Sequence, residues 1–143
     1  YGDAQIHVPS WGSRVCAACN DHYGSEEGPV ANALVAARSQ SCTGRIDVIA
    51  HSMGATLAAR QIGKLGMSAS VDAFVGIAGA FRGLWSCGIY PFNVPTSTCG
   101  AWGLSVGSVH SSTVPGQTAA VSLALGHFGL LTETAALQAD LID

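Results

Sequence analysis

The sequence predicts a single α/β domain over residues 1–143, with a mostly parallel sheet and flanking helices. Short apolar segments alternate with longer segments of helical spacing, which gives a β-α-β-α-β order over residues 6–78. The length of 143 residues suits one domain, and 48% hydrophobic against 10% charged residues indicates a packed core. Neither an internal repeat nor a low-complexity segment divides the chain.

The first elements are a strand, a loop and a helix. Ile6–Pro9 has the apolar content of a short strand, and the polar, glycine-containing segment Ser10–Gly28 predicts the loop after it. Pro29 suits the first turn of a helix, because its fixed φ fits there and its missing N–H is not needed. Apolar residues then recur at helical spacing as far as Ser39.

A second strand, a second helix and a third strand follow. Arg45–Ala50 is a compact apolar run, and the alanine-rich segment Met53–Leu65 predicts a helix that stops at Gly66. Val71–Ala78 is almost continuously apolar, as expected of a parallel strand covered on both faces.

The last third of the chain predicts a loop, two strands and a closing helix. These elements are Phe81–Ala101, Leu104–Val109, Ala119–Leu125 and Leu130–Ile142. Neighbouring parallel strands need a crossover of about a dozen residues, usually helical, whereas residues 110–118 supply only nine. The sequence therefore predicts that a crossover is missing before the last strand.

Charge and hydropathy argue against a nucleic-acid partner and against a transmembrane helix. The net charge is −3 and the six Lys and Arg residues are scattered, so we expect no nucleic-acid partner. No apolar run reaches the about 20 residues that a transmembrane helix needs. The first residue is Tyr1 and not methionine, which predicts a mature or truncated product.

The five cysteines predict structural disulfides and therefore a secreted, extracellular or periplasmic protein. Cys87 and Cys99 flank a loop rich in proline and glycine and form the preferred pair. Cys42 is paired with Cys16 or Cys19 in the second hypothesis, and an odd count leaves one thiol. The Cys16-x-x-Cys19 spacing lacks a second half at usable distance, so we expect no metal site.

A nucleophile-elbow pattern lies where the second strand meets the second helix. The segment reads Ala50-His-Ser-Met-Gly54, which is G-x-S-x-G with alanine in the first position. Small residues on both sides of Ser52 let the strand and helix approach, and the turn presents the hydroxyl with the Met53 N–H as an oxyanion donor. The alternative is an ordinary turn with an N-capping serine. His51, in the variable position, is expected to pack or to form hydrogen bonds.

A serine nucleophile needs a general base, and His127 is the preferred candidate. It follows a predicted strand and lies between Gly126 and Gly129, which give the loop freedom. His110 also follows a strand and is the second candidate. We expect the remaining two histidines, His7 and His22, to lie on the surface or in loops.

These motifs resemble those of small secreted bacterial lipases. The elbow and the segment Gly126-His-Phe-Gly-Leu-Leu131 are similar to the matching elements of that group. The run from Val71 to Cys87, followed by Cys99-Gly100, resembles class 2 lipases, a group that includes an extracellular polyhydroxybutyrate depolymerase. The resemblance implies an α/β-hydrolase fold and a secreted, cofactor-free esterase that acts on acylglycerols, short esters or a polyester through an acyl-enzyme.

The sequence departs from this pattern at the triad acid and at its beginning. No carboxylate lies between Asp72 and Glu133, and the segment 109–117 resembles the family's acid loop without its aspartate. The first residues resemble the family's fourth strand, so the earlier His-Gly strand with the second oxyanion donor has no counterpart. Losing one such donor costs about 10²–10³ in rate.

Other carboxylates are weaker candidates for the acid. Asp21, Glu26 and Glu27 follow the first strand and are expected at the carboxyl edge of the sheet, where ligands bind. Glu133 lies in the closing helix. Asp47, at the start of a strand, is expected to be structural. The leading interpretation is that this chain contains no triad acid.

The alternatives to an esterase are a non-catalytic relative that binds apolar ligands or partners, and a chance match to the elbow. The loop after the third strand concentrates aromatic residues, which are Phe81, Trp85, Tyr90, Phe92 and Trp102. They line an acyl or polymer site in one interpretation and form a plain hydrophobic cluster in the other.

Overall fold

The computed structural model describes residues 2–16, 19–21, 24–89, 91–94, 96, 99, 106 and 129–142. The helices of this part are α1 (Glu27–Gln40), α2 (Met53–Lys64), α3 (Gly129–Thr132) and α4 (Ala135–Asp140). Its strands are β1 (Ile46–His51), β2 (Val71–Ile77), β3 (Gly88–Ile89) and β4 (Phe92–Asn93). Short 3-10 turns cover Asp3–Gln5, Ser68–Ser70 and Trp85–Cys87.

The centre of the described structure is a two-stranded parallel sheet with helices packed on it. β1 and β2 pair in parallel, with His51 opposite Ile77 at their carboxyl ends. Leu57 of α2 and Met67 are fully buried beside Val30 and Leu34 of α1. The chain therefore has the predicted mixed α/β character, with the helix–sheet core between residues 30 and 74.

The predicted helix boundaries are close to the observed ones because local signals set them. α1 begins two residues before Pro29, which places the proline among the first positions, where no backbone N–H is needed. α2 ends at Lys64 in a Schellman motif, in which Met67 N–H donates to Ile62 C=O at 2.9 Å and Gly66 N–H donates to Gly63 C=O at 3.1 Å.

Three predictions about elements are wrong. Ile6–Pro9 is not a strand, and Val8 is 85% exposed, because none of the described residues pairs with this segment. The loop after β2 contains the β3–β4 hairpin. The closing helix is broken at Glu133, where the Thr134 hydroxyl donates to Leu130 C=O at 2.6 Å. The strands predicted at 104–109 and 119–125 lie outside the described residues, except Val106, which bridges Ile89.

Two disulfides staple the loops. Cys87–Cys99 is bonded as predicted, with both residues buried. The proposed pairing of Cys42 is wrong, because Cys16 bonds Cys19 across a turn closed by Cys19 N–H to Cys16 C=O at 3.1 Å. Cys42 is exposed and free. Two disulfides are compatible with a secreted protein.

Candidate active site

Ser52 occupies a strained turn between β1 and α2. Its φ is 55° and its ψ is −129°, and Ala78 is the one other non-glycine residue with positive φ in the described part. A residue with a Cβ rarely adopts such a φ, and the strain costs about 1–3 kcal/mol. Ser52 N–H donates to Ile77 C=O at 2.8 Å, so the turn is tied to the end of β2.

The N-cap alternative for Ser52 does not fit this geometry. An N-capping serine has extended backbone angles, and its hydroxyl accepts a hydrogen bond from the helix that it begins. Ser52 has positive φ and makes no side-chain hydrogen bond to cap α2. Its side chain therefore has a different role from closing the helix N-terminus.

Met53 is the first residue of α2, so its N–H is among the four that a helix leaves without an intrahelical partner. The aligned peptide dipoles of α2 add positive potential at this end. A developing negative charge beside Ser52 would meet both. The structure thus places a hydroxyl and an N–H donor on consecutive residues of one turn.

Two loops pack against the first turn of α2. On one side, Trp11 lies against Gly54, with its Cζ2 atom 3.5 Å from where a Cβ on residue 54 would stand. On the other side, a Cβ on Gly79 would stand 2.6 Å from the Phe81 ring and 2.9 Å from Ala55 Cβ. Glycine at 79 is therefore required for the loop after β2 to approach the elbow.

The three histidines considered for general base or loop roles, His127, His110 and His22, lie outside the described residues. His51 ends β1 and is half-buried, and His7 is half-buried beyond the first 3-10 turn. The predicted pairing of Ser52 with His127 therefore stays a prediction.

Glu27 forms ion pairs away from the elbow. Its carboxylate lies 2.9 Å from Arg60 Nη1 and 2.6 Å from Lys64 Nζ, in the second half of α2. At about 1.5 Å of rise per residue, these partners are about 10–16 Å along the helix from Met53. Burial raises the pKa of Glu27, but the Lys64 hydrogen bond and the charges of Arg60 and Lys64 outweigh it and hold that pKa below 4.5.

Asp47 and Asp72 lie at the start of the sheet, and Glu26 and Glu133 lie outside it. At the start of the sheet, Asp47 accepts a hydrogen bond from Ala73 N–H at 3.1 Å, which confirms its structural role. Asp72 pairs there with Arg45 and raises the pKa of that guanidinium. Glu26 is buried and accepts from the Ser25 hydroxyl at 3.1 Å, whereas Glu133 is exposed after α3.

Asp21 is half-buried in the loop that carries Trp11. Asp21 Oδ2 would stand 2.7 Å from a Cβ on Gly24, so its carboxylate turns back toward its own loop. Asp21 and Glu26 both lie between the first 3-10 turn and α1, in the segment whose Trp11 contacts the elbow.

Sequence reasoning missed two features of this site. The contact of Trp11 with residue 54 joins positions more than 40 apart, and only the small size of Gly54 hinted at a close neighbour. The positive φ of Ala78 carries no sequence signal except the glycine that follows it.

The described residues contain no group of three or more His, Cys, Asp or Glu that could hold a metal ion. Within the same residues, no helix has the length and apolar character needed to cross a bilayer. A scan of protein-family models matched no family, and searches of curated proteins and solved structures found no match.

Proposed function

We propose that this chain is a serine carboxylester hydrolase of the α/β-hydrolase type, with Ser52 as its nucleophile. The observation that carries the proposal is the backbone of Ser52, with φ 55° and ψ −129°, at a strand-to-helix turn. The G-x-S-x-G elbow is defined by such a strained turn, which exposes the serine hydroxyl at the top of a sheet. The resemblance to class 2 lipases supports the same activity.

In the proposed reaction the Ser52 hydroxyl attacks the ester carbonyl carbon, and His127 takes its proton as general base. The Met53 N–H stabilises the negative oxygen of the tetrahedral intermediate. His127 returns the proton to the alcohol as the C–O bond breaks, which leaves an acyl-serine. Water then attacks the acyl-enzyme with the same base, so no cofactor is needed.

The ester itself is an acylglycerol, a short ester or a polyester of hydroxyalkanoic acids. Two disulfides fit the secretion that the resemblance implies. Asp21 and Glu26 are the remaining candidates to orient the base, because both lie on the loop that contains Trp11.

The proposal is tested by treating the folded protein with a fluorophosphonate and measuring the intact mass. We expect one adduct, located on Ser52 by peptide mapping. Ser52→Ala should remove the adduct, whereas the matched variant Ser68→Ala, at an exposed serine in a 3-10 turn, should retain it. A folded wild-type protein without an adduct would overturn the proposal.

A second candidate is a non-catalytic relative that binds apolar ligands or partners. It is favoured by the absence of any carboxylate between Asp72 and Glu133. Steady hydrolysis of p-nitrophenyl butyrate that Ser52→Ala abolishes would exclude it. A labelled Ser52 with no turnover would support it.

A further inference from the structure

We propose that Trp11 is a specificity-determining residue of this site and limits the size of the acyl group that Ser52 accepts. This inference rests on the proposed esterase function. Trp11 is half-buried and lies against the first turn of α2, with its Cζ2 atom 3.5 Å from the Cβ position of residue 54. That turn contains the proposed nucleophile and oxyanion donor.

The Trp11 side chain is half-buried and packs against the outside of the core cluster, next to the elbow turn. Trp11 and Met53 both pack at the edge of the buried cluster that contains Leu57 and Ile62. A Cβ on residue 54 would make an ordinary van der Waals contact with the indole, so the ring packs directly beside this turn. In the acyl-enzyme the acyl group is bonded to Ser52, so it lies beside this turn and beside the side chains packed on it, which include Trp11.

Two hydrogen bonds and a disulfide restrain the loop that contains Trp11. Asn20, which is 7% exposed, accepts from Ser13 N–H through Oδ1 at 2.5 Å and donates to Ser13 C=O through Nδ2 at 3.2 Å. The Cys16–Cys19 disulfide closes the turn between them. Gly12 has a φ of +63°, and a Cβ there would stand 2.5 Å from Asn20 Oδ1.

These hydrogen bonds and the disulfide restrict the conformation of the backbone beside Trp11. A restrained Trp11 ring discriminates between acyl groups by size better than a mobile one. A larger acyl group could displace the ring only by disturbing the hydrogen bonds and the disulfide of this loop. One methylene in an apolar pocket changes kcat/KM by about 10-fold or more. Removal of the indole should therefore shift the acyl-length preference.

The test measures kcat and KM for p-nitrophenyl acetate, butyrate and octanoate with wild type, Trp11→Ala and Trp11→Phe. The matched control is Val15→Ala, which removes a 98% exposed apolar side chain from the same loop. We expect Trp11→Ala to raise the octanoate-to-butyrate ratio of kcat/KM about 10-fold, mainly through a lower KM for octanoate. Trp11→Phe should give an intermediate ratio, and Val15→Ala should keep the wild-type ratio.

An unchanged ratio in Trp11→Ala, or an equal shift in Val15→Ala, would overturn the assignment of Trp11. If Trp11→Ala does not fold, the conservative Trp11→Phe variant decides by the same ratio. The failure of the proposed function is distinguishable, because wild type would then neither react with the fluorophosphonate nor hydrolyse any of the three esters. A labelled, active wild type with an unchanged ratio overturns the role of Trp11 alone.

Discussion

Each of the two paired strands is followed by a non-glycine residue with positive φ, but the chain continues differently after the two residues. His51 and Ile77 are partners at the carboxyl ends of β1 and β2, and each is followed by a non-glycine residue with positive φ. After Ser52, at 55°, the chain enters α2 at once. After Ala78, at 50°, it passes through Gly79 into a loop that folds back on the sheet.

The difference separates strain that serves packing from strain that presents a functional group. At Ala78 the turn brings Gly79 against Ala55 and Phe81, and the ring of Phe81 packs edge-on against Phe74 with 6.1 Å between centroids. At Ser52 the turn holds a hydroxyl next to a helix N-terminus without using it as a cap. The Ala78 turn therefore serves packing, and the Ser52 turn is the one that the proposed esterase reaction would use.

The largest expected effect distinguishes the two turns by activity. Ser52→Ala removes the proposed nucleophile and should lower ester hydrolysis by about 10³-fold or more. Thermal unfolding should change little, because alanine has no larger side chain to place. Initial rates with p-nitrophenyl butyrate measure the loss. Ala78→Ser at the equivalent turn should retain at least half of the wild-type rate, and a loss as large as that of Ser52→Ala would contradict the comparison.

The next effect is on stability at the end of β2. Gly79→Ala adds a Cβ that stands 2.6 Å from the Phe81 ring and 2.9 Å from Ala55 Cβ. Overpacking of this kind should lower the free energy of unfolding by about 1–3 kcal/mol. Urea unfolding followed by circular dichroism measures it. Gly63→Ala, in α2 with open space around residue 63, is the matched control and should stabilise by about 0.5–1 kcal/mol.

A smaller effect concerns the far end of the helix that continues β1. Glu27→Gln removes a carboxylate, 18% exposed, from between Arg60 and Lys64 and should cost about 1 kcal/mol at neutral pH. Because the pKa of Glu27 is lowered in the fold, its stabilisation is complete above 4.5 and is lost as the pH falls through the lower value.

Unfolding curves of wild type and Glu27→Gln between pH 3 and 7 therefore should converge at the acid end. Asp72→Asn, at a half-exposed pair with Arg45, is the control and should cause no measurable change. A difference for Glu27→Gln that grows toward acid pH would contradict the assignment.

The smallest expected effect is that of Ala78→Gly, which relieves the backbone strain at residue 78. Glycine accepts a φ of 50° freely, but it also gains entropy in the unfolded chain. We expect Ala78→Gly to change the free energy of unfolding by less than about 1 kcal/mol, with stabilisation as the sign if strain dominates. Differential scanning calorimetry measures the sign, and a loss of more than that amount would mean that the Ala78 methyl group is needed for packing.

Local signals predicted much of the fold from the sequence. Pro29 and Gly66 bound α1 and α2 within about two residues because proline geometry and the Schellman turn depend on neighbours along the chain. Ile6–Pro9 has strand-like residues but no described partner strand, and a strand depends on its partner. The break at Glu133 depends on the hydrogen bond from the Thr134 hydroxyl, which helical spacing does not encode.

The candidate site was predicted in part. The elbow pattern located Ser52 because the small residues around it are local requirements. Trp11, Gly79 and Phe81 meet the elbow through tertiary contacts that no spacing reveals. Cys16 and Cys19 pair because the turn between them closes, whereas sequence reasoning favoured a longer span to Cys42.

We propose that the strained turn presents Ser52 to an ester beside the Met53 N–H. A crystal structure of the protein after fluorophosphonate treatment tests it most directly. We expect phosphorus bonded to Ser52 Oγ, a positive φ retained at Ser52, and a phosphonyl oxygen about 2.7–3.1 Å from Met53 N. An adduct on another residue, or a phosphonyl oxygen directed away from α2, would contradict it.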